Sequence, residues 1–421
     1  MAKKVNRLRN ADRLAAFALR ASRRTSIGVD ERSKGYLPRT TAFRAAARVG
    51  SPRLPGIDMR SVFASMGPVL RRVALLSIFG LAALLAGATA TSATPIQIYG
   101  VWHCGSNLCG WSTIRDMTEF DSKNHWLIDR GDGSPSVNLV ILSFVNPLKL
   151  LHLTNDTQTS EGVPIGITPA IVGYFTARKI RVMLSIGGST YANDWDEALR
   201  TNPAQLGINA AQLARRLGVG IEIDYENDES PDLTGLQKFI RAYRSILPYD
   251  ATGTNPAARL TIDLALGDDY LAPLTQYATA NWLTTSNPVL DYANAMVAFE
   301  QADASVAEAG WQEHIDGKPP IPPLAPAKFT GSLFIVARNN LPPECVNFNV
   351  SLQSATGKFV QSVAPRGAGV TNGMLGYMFW AAECSGSRSL CTTPPSTCEG
   401  GVGVGAKTLN IPVPMPPLRQ N

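Results

Sequence analysis

Glu222, Asp224 and Glu226 stand at alternate positions in the segment GVGIEIDYEND, residues 218–228. Side chains alternate between the two faces of a strand, so Glu222, Asp224 and Glu226 share one face and apolar residues occupy the other. Inside a closed barrel that face is shut off from bulk water, and like charges about 6–7 Å apart raise the pKa of at least one carboxyl. The segment therefore predicts a general acid that works near neutral pH. A Mg²⁺ or Ca²⁺ site and a structural cluster are the alternatives.

The acidic segment is one of eight short apolar runs that recur from residue 95 onward. Each run is rich in Val, Ile, Leu or aromatic residues, as strands buried on both faces are. Helix-like segments lie between them, for example at 168–178, 204–217 and 233–247. This alternation predicts an α/β protein with a (β/α)8 TIM barrel. A doubly wound sheet is disfavoured because the first run leads into HCGSNLCGW rather than a Gly-rich phosphate loop. The runs cover 96–102, 137–145, 180–186, 219–225, 260–266, 292–299, 332–336 and 374–380.

The acidic strand resembles the D-G-x-D-x-D-x-E signature of the family 18 glycoside hydrolases, the chitinase family. Gly220, Glu222, Asp224 and Glu226 stand at its last motif positions. Val219 replaces the first Asp of the signature, and Glu222 replaces the next one with a longer acid.

Two further motifs follow the order of that family. Ser185-Ile186-Gly187-Gly188 ends the third run and resembles the family's S-x-G-G. The sequence GYMFW at 376–380 resembles its last strand, which ends in a Trp beneath the substrate. The resemblance covers roughly residues 96–382 and implies a barrel that cleaves or binds β-1,4-linked N-acetylglucosamine polymers.

The resemblance also implies a substrate-assisted mechanism that needs no metal and no organic cofactor. In this mechanism Glu226 protonates the glycosidic oxygen, and the acetamido carbonyl of the sugar itself attacks the anomeric carbon. Asp224 orients the acetamide, and Glu222 shares a proton or a hydrogen bond with Asp224. Ser185 supports the same inner layer.

The sixth strand departs from the family, which usually has M-x-Y-D there, with the Tyr hydroxyl helping to hold the acetamide. Aligning on Met296 puts Ala298 at the Tyr position, and a shift of one residue puts Phe299 there. Neither side chain has a hydroxyl, and a missing donor in such a site costs about 10²–10³ in rate. Tyr270 and Tyr292 are therefore candidate replacements.

Aromatic side chains are candidates for the platform on which a sugar ring stacks. Trp380 is the best placed, and Trp102, Tyr191, Trp195 and Trp311 are candidates in loops. The predicted substrate-contacting residues are thus Trp380, Ser185, Gly187, Gly188, Met296, Phe299 and Trp102.

The first 94 residues differ in charge from the rest of the chain. They carry 17 basic and 4 acidic residues, whereas the remainder has 22 basic and 29 acidic residues, which argues against a nucleic-acid partner. Arg71 and Arg72 precede an apolar run at 73–88 that ends in Ala88-Thr89-Ala90. As a helix this run rises about 24 Å, short of the roughly 30 Å hydrocarbon core. We expect a cleaved signal and a secreted or periplasmic protein; an uncleaved membrane anchor is the alternative.

The predicted organisation has four parts: a basic extension or mis-assigned start at 1–65, a signal peptide at 66–93, the barrel at 95–385 and a Cys/Pro/Gly-rich tail at 386–421. All six cysteines follow the predicted cleavage site. An even number of cysteines in an exported chain predicts disulfides.

These patterns together predict a secreted, monomeric glycoside hydrolase whose partner is chitin or a related N-acetylglucosamine glycan. Membrane contact is expected only if the signal segment stays uncleaved. The second hypothesis is a glycan-binding protein on a hydrolase barrel that has lost its activity. The third is an endo-acting enzyme on N-linked glycans.

Overall fold

The computed structural model describes residues 95–104, 111–129, 133–265, 270–296, 304–334, 373–380 and 411–418. All of them belong to one compact unit, 90–421. The predicted extension, the predicted signal peptide and most of the predicted tail lie outside the described residues.

Eight parallel strands close into a barrel, which confirms the predicted (β/α)8 class. The strands are β1 Ile98–His103, β2 Leu139–Val145, β3 Arg181–Gly187, β4 Gly220–Asp224, β5 Leu260–Leu264, β6 Ala293–Ala295, β7 Phe329–Phe334 and β8 Gly376–Trp380. Each strand lies beside its neighbour in sequence, and the register that pairs Ile98 of β1 with Gly376 of β8 completes the ring.

The seventh strand begins earlier than the apolar pattern predicts. It starts at Phe329 rather than at residue 332. Thr330 and Ser332 are both buried in this strand, and their polar side chains interrupt the apolar run. The apolar pattern therefore misses the start of this strand, because polar side chains there face the barrel interior.

Helices connect the strands along the described part of the chain. Their ends follow the sequence, because Asn146, Thr168 and Asn202 each accept a hydrogen bond from a backbone N–H of the first turn, and a Pro opens each of these three helices. The predicted segments at 168–178, 204–217 and 233–247 correspond to α3, α5 and α6. The helices are α1 Met117–Ile128, α2 Pro147–Leu151, α3 Pro169–Thr176, α4 Ala192–Thr201, α5 Pro203–Leu217, α6 Leu233–Ile246, α7 Ala272–Asn281 and α8 Ala304–Asp316.

The barrel interior changes character from one end to the other. Near the amino ends of the strands it is filled by apolar side chains such as Ile98, Leu139, Met183 and Tyr292. Toward the carboxyl ends the inward positions become polar, while the larger apolar core lies between the strands and the helices. The segment 411–418 lies at the apolar end, where Met415 and Leu418 belong to the inner cluster. The polar end is thus the one available for chemistry.

Candidate active site

Two glycines bring the end of β3 against the end of β4. Gly187 has a φ of 128°, and a Cβ at that position would lie 1.7 Å from the Asp224 carbonyl oxygen. The Gly188 N–H donates to the same oxygen at 3.0 Å. The predicted substrate-contacting pair Gly187 and Gly188 therefore allows the close approach that places Asp224.

Strand β4 carries two acids into the barrel. Glu222 and Asp224 are buried, while Ile221 and Ile223 between them belong to the outer core. Glu226 follows just beyond the strand at the mouth of the barrel, where it is partly exposed. The alternation predicted from the sequence therefore brings the three acids together.

A clamp on helix α4 holds both neighbours of Glu226. The Tyr225 hydroxyl donates to the Asp196 carboxylate. The side-chain amide of Asn227 lies 2.9 Å from each oxygen of the same carboxylate. Tyr225 is buried and packs on Trp195, so its side chain points into the helical layer. Glu226, between these two anchored residues, is directed to the opposite side.

Two donors contact the carboxyl of Glu226 directly. The Tyr270 hydroxyl donates to Oε2 at 2.7 Å, and the backbone N–H of Ser189 also donates. Both contacts lower the pKa of Glu226, but burial outweighs them and raises that pKa to about 7. A carboxyl with this pKa holds a proton for much of the time near neutral pH.

The two tyrosines proposed as replacement donors lie in different places. Tyr270 reaches Glu226, whereas Tyr292 is buried at the apolar end, with its hydroxyl 3.9 Å from the Met183 sulfur. Of the two, Tyr270 alone supplies a hydroxyl to the acids.

Glu222 is the centre of a buried hydrogen-bond network. The Trp102 indole N–H donates to Oε1 at 2.8 Å, and the Asn294 amide donates to Oε2 at 2.6 Å. The Thr330 hydroxyl donates to the Asn294 Oδ1 at 2.7 Å, which fixes the orientation of that amide. Burial raises the pKa of Glu222 to about 7, and its hydrogen bonds from Trp102 and Asn294 oppose the increase.

Asp263 on β5 is a fourth buried acid that the sequence analysis missed. Burial raises its pKa well above the ordinary value, and the charges of Glu222 and Asp224 add to this effect. A hydrogen bond between Asp263 and Glu222 raises the pKa of Asp263 and lowers that of Glu222. The sequence did contain a signal for Asp263. In the apolar run 260–266 it lies on the same face of the strand as Thr261, whereas Ile262 and Leu264 lie on the other face.

This pairing changes the role expected for Glu222. The resemblance implies that Glu222 shares a proton or hydrogen bond with Asp224, but the hydrogen bonds of Glu222 lead to Trp102, Asn294 and Asp263. Glu222 acts on Asp224 through its charge instead. The longer Glu side chain reaches across the barrel to partners on other strands.

Asp224 combines a raised pKa with an unused oxygen. Burial raises its pKa well above the ordinary value, and the charges of Glu226 and Glu222 raise it further. Its Oδ1 is buried and has no hydrogen-bond partner among the described residues. Asp224 and Glu226 therefore compete for protons.

Three of the tryptophans predicted as loop platforms lie elsewhere. Trp102 is in β1 and only 4% exposed, with its indole directed to Glu222. Trp195 is buried in α4, where its N–H donates to the Ile186 carbonyl, and Trp311 is buried in α8 against Tyr377. Their large apolar rings are used for packing, so these loop assignments are wrong.

The remaining predicted contacts lie at or beyond the edge of the described structure. Met296 is partly buried at the end of β6, and Tyr191 lies in the 3-10 turn Ser189–Tyr191. The backbone of Trp380 pairs with Phe334 in β7, while its side chain and the whole of Phe299 lie outside the described residues. Phe144, which the sequence analysis missed, lies 3.1 Å from the position of a Cβ on Gly188 and so borders the site.

The described residues include one of the six cysteines and several acids that could serve as metal ligands. Within the described ranges no group of three or more His, Cys, Asp and Glu side chains is arranged to hold a metal ion. Cys104 is buried and disulfide-bonded. The other five cysteines lie outside the described residues, so the predicted bridges stay a prediction. No helix in the same ranges has the length and apolarity to cross a bilayer.

The fold and site define this chain as a (β/α)8 barrel protein with an acidic mouth. No protein-family profile and no curated protein matches its sequence. Among solved structures, a GH18 chitinase from Pseudoalteromonas aurantia is 16% identical, with a TM-score of 0.43 over 67% of this chain and 93% of that one. A chitinase from Bacteroides thetaiotaomicron is 10% identical, with a TM-score of 0.43 over 75% and 97%. Xylanase B from Clostridium stercorarium F9 is 11% identical, with a TM-score of 0.38 over 69% and 86%.

Proposed function

We propose that this chain is a glycoside hydrolase that cleaves β-1,4 bonds of chitin or a related N-acetylglucosamine glycan. The observation that carries the proposal is Glu226, a carboxyl at the barrel mouth whose pKa is raised to about 7 and which lies beside Asp224. A general acid is most effective when its pKa is close to the working pH. The motif resemblance supplies the substrate class.

The proposed reaction has two steps. In the first, Glu226 gives its proton to the glycosidic oxygen while the acetamido carbonyl oxygen of the substrate attacks the anomeric carbon. The glycosidic bond breaks, the leaving sugar departs with the proton, and a cyclic oxazolinium cation remains. In the second, water attacks the anomeric carbon and gives a proton to Glu226, while the bond from that carbon to the acetamido oxygen breaks and the neutral acetamide is restored. The product has retained configuration.

Asp224 has the properties needed to steady that cation. In its ionised form it attracts the positive charge that develops on the acetamide, and its unpartnered Oδ1 can accept the acetamide N–H. Because ionised Glu226 raises the pKa of Asp224, the two carboxyls share protons. The reactive form has the proton on Glu226 and the charge on Asp224.

Tyr270 compensates in part for the Tyr missing from the sixth strand. Its hydroxyl contacts Oε2 of Glu226. The hydroxyl acts on the acid rather than on the acetamide, so it holds the proton donor in place without replacing the acetamide contact itself.

We also propose that the protein is exported, with residues 66–93 as its signal. The support is the apolar run that follows Arg71 and Arg72 and ends in Ala88-Thr89-Ala90. The mature protein should begin near Thr91. Amino-terminal sequencing of the extracellular or periplasmic protein checks this, and recovery there of a chain that retains residues 1–65 contradicts it.

The function is tested with chitin oligosaccharides and a substitution of the acid. Glu226→Gln keeps the shape of the side chain but has no proton to give, so turnover should fall about 10²–10⁴-fold while binding survives. Glu229→Gln, an exposed residue three positions away on the same loop, is the matched control and should cleave like wild type.

Cleavage and affinity are to be measured on the same oligosaccharide. A wild-type chain that binds it but never cleaves it, and that Glu226→Gln does not change, would favour the glycan-binding protein. Cleavage of N-linked glycans in place of chitin oligosaccharides would favour the endo-acting enzyme.

A further inference from the structure

Four basic side chains gather at the end of the barrel opposite the acids. Arg259 precedes β5 and is 2% exposed, and it forms an ion pair with Asp291, with 3.4 Å between Nη1 and Oδ1. Arg244 contacts the other oxygen of the same carboxylate at 3.1 Å. The Nζ of Lys328 donates to the Asp291 carbonyl at 3.3 Å, and Arg181 at the start of β3 lies close enough for the charge of Arg259 to lower its pKa.

This cluster contains more positive charge than its acids balance. Asp291 is the one buried carboxylate that contacts these cations among the described residues. Asp250, whose charge also acts on Arg181, accepts a hydrogen bond from Thr252 in its own loop. Burial lowers the pKa of Lys328 to about 8, so that group can lose its proton, but a guanidinium stays charged near neutral pH. An unbalanced buried cation is costly unless an anion accompanies it.

Two of the guanidinium groups converge on Gly253. The Nη2 of Arg181 donates to the Gly253 carbonyl at 3.2 Å. The Nη2 of Arg259 lies 3.1 Å from where a Cβ on Gly253 would be. The backbone of Pro417 and Leu418 borders the same point from the carboxyl-terminal segment. The two guanidinium groups therefore lie close together beside the backbone of the carboxyl-terminal segment.

Both guanidinium groups keep buried N–H groups without a partner. Nε and Nη2 of Arg259 and Nη1 of Arg181 have no hydrogen-bond partner among the described residues, and Nη1 of Arg259 has only its ion pair with Asp291. Planar guanidinium groups match the oxygen spacing of phosphate and carboxylate, and they often bind such oxyanions through two parallel hydrogen bonds. An oxyanion would therefore satisfy both the N–H donors and the excess positive charge at this point.

We propose that Arg181 and Arg259 form a binding site for a small oxyanion, of the class of inorganic phosphate or sulfate. The donor atoms are almost completely shielded from solvent, which favours a small free ion over a phosphate group on a larger ligand. Such an ion neutralises the cluster and links β3, the start of β5 and the carboxyl-terminal segment. The site is separate from the acids and does not depend on the proposed hydrolase activity.

The test is the thermal unfolding of the full chain in phosphate, sulfate and chloride at one ionic strength. Matched ionic strength removes general screening, so a difference reports specific binding. When an ion binds only the folded state, a free-ion concentration of about 100 times the dissociation constant raises the ratio of folded to unfolded protein about 100-fold. The melting temperature should rise saturably with phosphate and with sulfate, and glucose 6-phosphate should have no larger effect. Equilibrium dialysis with labelled phosphate should give one ion per chain.

Three variants locate the site. Arg259→Gln and Arg181→Gln should each abolish the saturable increase, whereas Arg216→Gln, an exposed arginine paired with Glu161, should keep it. Arg181 is less deeply buried than Arg259, so its variant serves if Arg259→Gln does not fold. Equal melting temperatures in phosphate and chloride would overturn the proposal. So would an increase that both guanidinium variants retain.

Discussion

The two ends of the barrel both bury ionisable side chains, but they tolerate the charge in different ways. At the carboxyl ends of the strands four acids lie close together: Glu222, Asp224, Glu226 and Asp263. Each of them has a raised pKa, so the cluster lowers its charge by taking up protons. At the amino ends three arginines and a lysine lie around Asp291. An arginine cannot lower its charge by exchanging a proton, because its guanidinium stays protonated near neutral pH.

The difference means that the acidic end is suited to chemistry and the basic end to stability. A group that exchanges protons near neutral pH can serve as an acid or base, so the acidic end is suited to catalysis. A cluster that stays positive can be relieved only by a partner of opposite charge. The acidic end should therefore respond to pH, and the basic end should respond to oxyanions.

Asp224→Asn should have the largest effect on the chemistry of the acidic end. The amide keeps the shape of Asp224 but removes the charge that, in the proposed mechanism, steadies the oxazolinium cation, so turnover should fall about 10²–10³-fold. Steady-state cleavage of a chitin oligosaccharide measures this, with Glu229→Gln, an exposed residue of the same loop, as the control. Unchanged turnover would remove Asp224 from the mechanism.

Asp196→Ala should release the segment that carries Glu226. Because Tyr225 and Asn227 both bind this carboxylate, its loss lets the acid move, and a displacement of about 1 Å costs up to about 10²-fold in rate. The turnover number should fall more than KM rises. Glu197→Ala on the same helix, which removes a surface ion pair, is the control. If Asp196→Ala lowers the melting temperature but not the turnover number, the clamp serves stability alone.

Tyr270→Phe should shift the pH dependence of cleavage. Glu226 must be protonated to act, so kcat/KM should fall as the pH rises through about 7. The Tyr270 hydroxyl lowers the pKa of Glu226, so its removal should raise that pKa and move the alkaline limb to higher pH. A pH profile of each protein measures the shift, and movement toward lower pH would contradict the assignment.

Asp263→Asn should have the smallest effect, on the pH dependence of stability. A carboxyl whose pKa is raised by folding stabilises the protein below its unfolded pKa of about 4, and this contribution is lost as the pH rises through the folded pKa. The amide does not titrate but can still donate to Glu222. The melting temperature of the variant should therefore fall less than that of wild type as the pH rises above about 4.

The sequence alone sufficed for features that depend on near neighbours in the chain. The alternation along residues 218–228 placed Glu222 and Asp224 inside the barrel, because strand geometry is local. The eight apolar runs predicted the strands for the same reason. The glycines after Ser185 were identified as a motif, although the need for them, the approach of Gly187 to the Asp224 carbonyl, appears only in the structure.

Only the tertiary structure decided which distant side chains meet. Trp102, Asn294 and Asp263 come from three other strands to surround Glu222, and no spacing in the sequence encodes those contacts. Arg181 and Arg259 are 78 positions apart in the sequence and look like ordinary surface cations until closure of the barrel buries them beside Gly253. Burial turns a charge into a strong constraint, because water no longer screens it and its partners must be supplied by the fold.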